Sequence, residues 1–565
     1  MLKRILLSPL FLATFVMAQQ TTPPRTQARS VVMTKYGIVA TSQTLASAAG
    51  VKVLEAGGNA VDAAIAANAA IGLMEPTSNG LGGDLFAIVY EAKTGKIYGL
   101  NASGWAPSGL TADLLEGKGH KTMPQRGIYS VTVPGVVSGW DMLRARFGTM
   151  PFSRILAPVI HYADEGFPVT EIIAAGWRGS TTMLAAHPNS KATYLPNGRA
   201  PRAGEIFRNP DLATTLRRIA ARGRDGFYTG PTAEAILKIS AETGGTFTAA
   251  DLAEFKGEWV EPISTTYRGW RVSELPPNGQ GIAALMMLNI MERFPLAEYG
   301  HNSARALHVM IEAKKLAYAD MLRYTADPRF FKAPIEQMLS KTHAERRAAL
   351  IDAAKAACTV LPAELAASIK PGADTIYMTA TDKDGNMVSL IQSNYAGFGS
   401  GLVPPGTGFM LQNRGALFTL DRAHPNVIAP RKRPLHTIIP AFMEKDGTRI
   451  AFGIMGGWNQ AQAHAQFVSN VADFNMNVQA ALEVPRFTKA TFEGCDVDLE
   501  SRIDPASAAA LRSLGHAVRV VAPFSGGSMG GGQAIMRDPN GVTFGGSDPR
   551  KDGAAVPQTP KIPEL

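Results

Sequence analysis

Cysteine is scarce in this chain of 565 residues, where Cys358 and Cys495 are the only two. Two cysteines allow one bridge at most, which excludes a disulfide-rich scaffold and a cysteine-built metal site. The ten histidines show no metal-ligand spacing, and His308 and Glu312, one turn apart on a predicted helix, are expected to be an ordinary satisfied pair. We therefore expect neither a metal nor another cofactor.

Charge is also limited, with 18% charged and 45% hydrophobic residues, as in a globular rather than a disordered protein. The net charge of +9 raises the question of a nucleic-acid partner. However, the basic residues are scattered, and the only tight run is Arg431-Lys432-Arg433. The sequence therefore predicts a solvated surface and no nucleic-acid partner.

Long apolar runs are missing beyond the amino terminus. Residues 1–18 combine the basic pair Lys3-Arg4 with an apolar stretch, Ile5 to Val16, and end in the small residue Ala18. This pattern predicts a signal peptide, since the stretch is shorter than the roughly 20 residues of a spanning helix. We expect a periplasmic or secreted protein that is free of the membrane once the signal is removed, in a compartment where the two cysteines can oxidise.

Several catalytic signatures are absent: G-x-S-x-G, H-E-x-x-H and the P-loop. The glycine-rich segment from Asn79 to Asp84 stands before a predicted strand, whereas a dinucleotide-binding loop follows one. Glycine itself is abundant, with 56 residues, and clusters at 57–58, 80–83, 397–401, 456–457, 526–532 and 545–546. Such clusters indicate backbone that closely approaches a ligand or another strand.

The order of predicted elements favours an α+β fold. Apolar spacing predicts helices over residues 42–56, 59–74, 211–221, 233–242, 282–294, 303–324, 460–474 and 505–514, with helices dominating from 140 to 350. Strands are predicted over residues 85–90, 96–100, 375–381, 387–392, 437–444, 449–454, 517–521, 533–537 and 542–544. Antiparallel strands with helices on both sides suit two stacked sheets between helical layers.

Thr375 begins one of these strands, directly after Asp374, and a hairpin with the Asp384-Gly385 turn follows it. A threonine hydroxyl needs a nearby base, and cutting the chain before Thr375 would supply its own α-amino group, with a pKa near 7.7. The local pattern also fits a plain strand threonine, as Thr379 and Thr381 are expected to be. The pattern alone leaves both interpretations open.

A set of ordered motifs resembles the γ-glutamyltransferase family from about Val31 to Arg550, nearly the whole mature chain. They are, in order, Glu55 to Ala64, Gly80 to Gly83, Ala106-Pro107, Val133 to Gly135, Thr375 to Tyr377, Asp382 to Asn386, Gly397 to Gly401, Lys432 to Pro434, Met455 to Gly457, Pro485 to Phe487 and Gly546 to Arg550. The resemblance implies an αββα amino-terminal-nucleophile hydrolase, made as a precursor that cleaves itself before a threonine.

Carried over to this chain, the resemblance implies cleavage of the Asp374–Thr375 bond, giving a helix-rich large subunit, residues 19–374, and a small subunit, residues 375–565. The two subunits are each other's partners and form one composite domain. Thr375 is the implied nucleophile, Ser393 a hydroxyl beside it, and Gly456 and Gly457 the donors of the oxyanion hole. Glycines suit that role because they let backbone amides approach a developing negative charge.

The departures from the family pattern concentrate among the implied substrate-binding residues. Ser103 stands where an arginine would hold the substrate α-carboxylate, and Tyr395, with Asn394 beside it, takes an amide-bearing position. Arg414 and Leu417 replace the glutamine and aspartate that bind the α-amino group, and His436-Thr437 replace two serines. Arg414 offers bidentate bonds to a carboxylate from a new direction. The segment from Phe418 to Pro434 is short, so we expect a truncated lid and an open site.

Three functions follow from these residues. The first is a self-processing hydrolase or transferase of γ-glutamyl groups, with glutathione as the expected donor. The second keeps the same machinery for another acyl amide of glutaryl type, because Ser103 and Leu417 remove partners that a γ-glutamyl group would use. The third is a non-catalytic binding protein on the same scaffold, against which the intact Thr375, Ser393 and Gly456-Gly457 count.

Overall fold

The computed structural model describes residues 27–363 and 374–560. The predicted signal peptide, residues 1–18, and the run from Pro371 to Ala373 before the predicted cleavage point lie outside the described residues. Within them, no helix is long and apolar enough to cross a membrane.

The strands have the following bounds: β1 (Val32–Thr34), β2 (Ile38–Thr41), β3 (Asp84–Glu91), β4 (Lys96–Ala102), β5 (Phe167–Pro168), β6 (Ile206–Phe207), β7 (Glu258–Val260), β8 (Ile263–Tyr267), β9 (Trp270–Glu274), β10 (Asp374–Thr381), β11 (Met387–Tyr395), β12 (Ala441–Lys445), β13 (Thr448–Ile454), β14 (Phe487–Thr488), β15 (Asp496–Glu500), β16 (Ala517–Val521), β17 (Gly532–Arg537), β18 (Thr543–Ser547) and β19 (Ala554–Pro557).

The helices have the following bounds: α1 (Thr44–Glu55), α2 (Ala60–Met74), α3 (Ala112–Gly117), α4 (Val136–Phe147), α5 (Phe152–Ile155), α6 (Ala157–Glu165), α7 (Glu171–Gly179), α8 (Thr181–Ala185), α9 (Pro188–Tyr194), α10 (Pro210–Arg222), α11 (Asp225–Tyr228), α12 (Gly230–Glu242), α13 (Ala249–Ala253), α14 (Gly281–Met291), α15 (Leu296–Tyr299), α16 (Ala304–Tyr324), α17 (Ile335–Leu339), α18 (Lys341–Ala348), α19 (Asn459–Ala472), α20 (Val478–Glu483), α21 (Pro505–Ser513) and α22 (Gly526–Met529).

Two seven-stranded antiparallel sheets form the centre of the fold. Sheet I has the strand order β19-β2-β10-β11-β3-β4-β7, and sheet II has the order β1-β18-β17-β13-β12-β9-β8. Between them lies an apolar layer that includes Phe86 and Tyr377 from sheet I and Phe442 and Ile535 from sheet II. The two sheets are therefore stacked face to face.

Helices cover the outer face of each sheet. Alanine-rich α2 is almost entirely buried, α1 is buried along one face, and both share an apolar cluster with Val388 and Leu390 of sheet I. The apolar helices α14, α16 and α19 share another with Ile450 and Phe452 of sheet II. Because each sheet is apolar on both faces, each needs a helical layer as well as the other sheet. The predicted αββα sandwich is confirmed.

Three predicted details differ from the structure. Helices dominate the region from 140 to 350 as predicted, but this region also contains five short strands, β5 to β9, that were not predicted. The strand predicted over 437–444 begins at Ala441. The strand at 517–521 pairs in parallel with β15 in a separate three-stranded sheet instead of joining the sandwich.

The two predicted subunits are interleaved in both sheets. In sheet I, β10 and β11 lie between β2 and β3, which precede the predicted cleavage point. In sheet II, β9 pairs with β12 across the same division. A disulfide between Cys358 and Cys495 also joins the two parts.

Candidate active site

Thr375 lies at the start of β10, where the pairing with β11 is irregular. Asp374 is opposite Tyr395, whereas Ile376 is opposite Gln392, so Ser393 and Asn394 both face the single residue Thr375. This is a β-bulge, which re-aims side chains and is common beside active sites. Thr375 itself is fully buried.

The Thr375 hydroxyl contacts two polar side chains. Its Oγ1 donates to Ser393 Oγ at 3.2 Å and accepts a bond from Gln460 Nε2 at 3.4 Å. Ser393 Oγ in turn accepts the backbone N–H of Tyr395 at 2.8 Å, which fixes its position. The structure therefore places Ser393 beside Thr375, as predicted, and its orienting role remains a prediction.

The predicted oxyanion turn connects β13 to α19. Gly456 and Gly457 have φ angles of 118° and 56°, a region that side-chain-bearing residues rarely adopt. The Gly457 carbonyl accepts the backbone N–H of Gln460 at 3.1 Å and the Gln280 side chain at 2.6 Å. Since Gln460 also contacts Thr375, the turn lies next to the predicted nucleophile. That its N–H groups hold an oxyanion stays a prediction.

Asp84 and His436 form a fully buried pair close to this centre. Asp84 is the cross-strand partner of Ser393, and its Oδ2 accepts His436 Nε2 at 2.8 Å. Burial, followed by the nearby Arg414 charge, lowers the pKa of His436 to about 4. His436 is therefore neutral near pH 7 and donates through Nε2, while its Nδ1 accepts the Ile438 N–H at 3.3 Å.

Arg414 is a fully buried cation with incomplete compensation. Its Nη1 donates to Thr437 Oγ1 at 2.6 Å, and its guanidinium lies 4.7 Å from the centre of the Tyr395 ring. The nearest carboxylate oxygen, Asp84 Oδ2, is 3.9 Å from Nε and already accepts His436. Burial lowers the pKa of Arg414 to about 10, so it remains charged at neutral pH. Among the described residues, its Nε and Nη2 have no hydrogen-bond partner.

The other predicted substrate-binding residues have different surroundings. Asn394 is fully buried, and neither polar atom of its side chain has a partner among the described residues. Tyr395 has a left-handed φ of 79°, and burial raises the pKa of its hydroxyl to about 12.

The Ser103 hydroxyl is bound within the protein, because it donates to Asn101 Oδ1 at 2.7 Å and accepts Asn278 Nδ2 at 3.3 Å. Leu417 is buried within an apolar cluster.

Sequence reasoning missed Asp84, Gln280 and Gln460 as site residues. Gln280 Nε2 donates to both the Thr437 and the Gly457 carbonyls, at 2.5 and 2.6 Å, and so links the neighbourhood of Arg414 to the oxyanion turn. A polar residue in the first turn of α19, three residues after a glycine pair, was a usable signal for Gln460. Asp84 likewise ends the glycine-rich segment that the sequence singled out.

One group of metal-ligand type occurs among the described residues, where His516 joins His308 and Glu312 with ligand atoms within 4.8 Å of one another. The Lys315 ammonium already lies 2.6 Å from Glu312 Oε1, and His308 bonds to His516 at 2.8 Å. The expected satisfied pair is therefore part of a larger buried polar cluster, in which Lys315 supplies the positive charge.

A stacked-sheet sandwich with a threonine at the start of a central strand, beside a glycine turn, defines the class of amino-terminal-nucleophile hydrolases. Comparison with known proteins agrees. The model of the family described as Gamma-glutamyltranspeptidase matches residues 46–558, and the chain belongs to this family.

Three relatives illustrate the range of the family. The chain is 37% identical over 533 residues to a glutathione hydrolase-like YwrD proenzyme of Bacillus subtilis, covering 94% of this chain and 99% of that one. It is 37% identical over 531 residues to an oxamate amidohydrolase proenzyme of Klebsiella pneumoniae, covering 92% and 98%. The crystal structure of a cephalosporin acylase from Bacillus halodurans superposes with a TM-score of 0.86 at 43% identity, covering 96% and 99%.

Proposed function

We propose that this protein is a self-processing threonine hydrolase or transferase that acts on γ-glutamyl amides such as glutathione. The observation that carries the proposal is the position of Thr375. It begins a central strand, its Oγ1 is 3.2 Å from Ser393 Oγ, and the Gly456-Gly457 turn lies beside it through Gln460. Membership of the γ-glutamyltranspeptidase family and relatives named as proenzymes support it.

Processing would begin with Thr375 Oγ1 attacking the carbonyl carbon of Asp374. The O–C bond forms, the Asp374–Thr375 C–N bond breaks, and the hydroxyl proton passes to the departing nitrogen. Water then hydrolyses the ester and leaves Thr375 with a free α-amino group. This splits the chain into the large subunit, 19–374, and the small subunit, 375–565, which the interleaved sheets hold together.

In the cleaved enzyme, the α-amino group takes the hydroxyl proton as Oγ1 attacks the substrate amide. The N–H groups of Gly456 and Gly457 stabilise the oxyanion of the tetrahedral intermediate. The amine returns the proton to the leaving nitrogen, and water or an acceptor amine then releases the acyl group. Losing one oxyanion donor would cost about 3 kcal/mol of transition-state stabilisation.

A second candidate is an acylase for acyl groups that carry a carboxylate but no α-amino group, such as glutaryl. The buried Arg414 suits the carboxylate of such a group, because two of its nitrogens lack hydrogen-bond partners among the described residues. Leu417 also favours this candidate, because it stands where the family pattern places an aspartate and cannot pair with an ammonium group. The relatives named oxamate amidohydrolase and cephalosporin acylase support a broader choice of amides.

Turnover of γ-glutamyl and glutaryl p-nitroanilides by the purified protein separates the two candidates. The leading proposal predicts a higher kcat/KM for the γ-glutamyl compound, and the second predicts the reverse. Thr375→Ala abolishes both activities under either candidate. If the wild type hydrolyses neither compound nor any other amide, the non-catalytic binding function replaces both.

The proposal also includes export. Residues 1–18 match a signal peptide, and disulfides such as Cys358–Cys495 form and persist in oxidising compartments. Periplasmic or secreted localisation follows, and fractionation of expressing cells with a compartment marker tests it.

A further inference from the structure

Gln460 is the third residue after the predicted oxyanion turn and lies in the first turn of α19. It is fully buried, and both ends of its side-chain amide are bound. Its Oε1 accepts the backbone N–H of Ile439 at 3.2 Å, and its Nε2 lies 3.4 Å from Thr375 Oγ1. Its backbone N–H bonds to the Gly457 carbonyl at 3.1 Å. One residue therefore contacts both the predicted nucleophile and the predicted oxyanion turn.

The Ile439 contact fixes the orientation of this amide. A backbone N–H can only donate, so the side-chain atom that faces it must be the oxygen. The nitrogen of Gln460 then faces Thr375 and donates to Oγ1. Thr375 Oγ1 also donates to Ser393 Oγ, and this bond fixes the direction of the hydroxyl proton. The bond from Gln460 occupies one lone pair of Oγ1.

We propose that Gln460 orients and activates the Thr375 nucleophile, both in self-cleavage and in turnover; the inference rests on the proposed function above. As Oγ1 loses its proton and attacks, negative charge develops on this oxygen. A fixed N–H donor aimed at it stabilises that charge without reorganisation. The distance of 3.4 Å is long for a hydrogen bond, as catalytic bonds often are before substrate binds.

The glutamate substitution Gln460→Glu tests this through pH. Glutamate has the same shape, and its protonated form can still donate to Thr375 Oγ1. The carboxylate form can only accept, so it competes with Ser393 for the hydroxyl proton and places a negative charge beside the oxyanion turn. The activity of this variant relative to wild type should therefore rise as the pH falls.

Gln462→Glu is the matched control. Gln462 lies two residues further along α19, is equally buried, and is bound by the backbone of Lys489 through Nε2 at 3.2 Å and Oε1 at 2.9 Å. It makes the same kind of contacts away from Thr375. This control reports what a buried carboxylate in α19 does to folding alone.

The experiment measures self-cleavage of freshly synthesised precursor and, for cleaved protein, kcat and KM on the better anilide, from pH 5 to pH 8. For Gln460→Glu we expect cleavage and kcat to fall by about tenfold or more at pH 8 with KM changed less. The ratio to wild type should then recover towards pH 5. Gln460→Met, which cannot donate, should be slow at every pH, and Gln462→Glu should keep the wild-type pH profile.

A ratio to wild type that is flat with pH for Gln460→Glu, or a Gln460→Met variant as fast as wild type, would overturn the inference. A Gln460→Glu variant that fails to fold, judged by circular dichroism, leaves Gln460→Met to decide. If the wild type itself never cleaves before Thr375 and hydrolyses no amide, the proposed function fails instead, and the two failures are distinguishable.

Discussion

At the scale of single residues, Arg414 is a fully buried cation with two nitrogens that have no hydrogen-bond partner among the described residues. A buried guanidinium with two unpartnered nitrogens costs free energy unless an anion completes it. A substrate carboxylate would do so, and the resulting charge-assisted bonds are each worth about 1.5–3 kcal/mol.

Arg414→Met should therefore lower kcat/KM for γ-glutamyl and glutaryl anilides by about 10- to 100-fold. Pentanoyl anilide, of similar length but without the carboxylate, serves as the control substrate, and its turnover should change little. An equal loss on all three substrates would mean that Arg414 supports the fold and does not bind the acyl group.

His436 gives a prediction for pH. Its pKa is about 4 in the folded protein against an ordinary value near 6.5, so the unfolded chain takes up this proton first as the pH falls. The contribution of neutral His436 to the free energy of unfolding is therefore complete above about pH 6.5 and is lost progressively towards pH 4. At roughly 1.4 kcal/mol per pKa unit, His436 accounts for about 3 kcal/mol.

Thermal unfolding of the uncleaved Thr375→Ala protein from pH 7 to pH 4 measures this effect. The midpoint should fall with pH, and the fall should be shallower in a Thr375→Ala protein that also carries His436→Gln. His464 and His516, whose pKa values burial also lowers, keep part of the slope in that variant. A midpoint that rises as the pH falls to 4 contradicts the assignment of a neutral buried His436.

Residues of the site differ in how far the sequence predicts them. Thr375, Ser393 and the Gly456-Gly457 pair stand in local motifs that the family resemblance marks. The partnership of Asp84 with His436 joins residues 352 positions apart, and no local pattern carries it. It exists because β3 and the segment before β12 meet only when the two sheets stack.

At the scale of elements, the glycine-rich segment 526–532 is packed against the oxyanion turn. A Cβ on Gly530 would lie 1.9 Å from the Met455 carbonyl oxygen, and Asn459 Nδ2 donates to the neighbouring Met529 carbonyl at 2.9 Å. Gly530 also has a φ of 67°, which favours glycine. The cluster of glycines therefore includes a position where the turn admits no side chain.

Gly530→Ala should displace the turn and lower kcat by about tenfold or more, since oxyanion donors depend on sub-ångström placement. Gly527→Ala is the matched control, because a Cβ there meets no atom within 4 Å and its φ is not positive. Kinetics of both variants on one anilide, with thermal midpoints measured in parallel, check this. Equal kcat values for the two variants would contradict the packing argument.

Most long elements are predictable from the sequence, because their apolar spacing is strong and continuous. Helices α1, α2 and α16 and strands β10 and β11 agree with the expected ranges within a few residues. The short strands β7 to β9 are not predictable, since three to five residues of mixed burial carry no clear period. The bulge at Thr375 is also invisible in the sequence, because it depends on the register with β11.

At the scale of the whole molecule, the predicted cleavage divides a fold whose two halves share both sheets. Cys358 precedes the predicted cleavage point and Cys495 follows it, so cleavage would turn their disulfide into a covalent link between the two subunits. The sequence shows only that one bridge is available. The pairing itself is a property of the folded chain, in which Gly494 N–H also bonds to the Cys358 carbonyl at 2.8 Å.

Denaturing electrophoresis of the cleaved protein tests this link. Without reductant, the subunits should run together at the size of the uncut mature chain, and with reductant they should separate into two bands. Cys358→Ser should give two bands in both conditions. Two bands from the wild type without reductant would show that the bridge does not join the subunits.

The central claim is that the chain cuts itself before Thr375 and uses that residue as its nucleophile. Intact-mass analysis and amino-terminal sequencing of the reduced, purified protein measure it most directly. The account predicts a fragment that begins at Thr375 and ends at Leu565 in the wild type, and a single uncut mature chain in Thr375→Ala. A wild type that hydrolyses amides while remaining uncut at this bond, or a Thr375→Ala protein that is cut there equally, would contradict it.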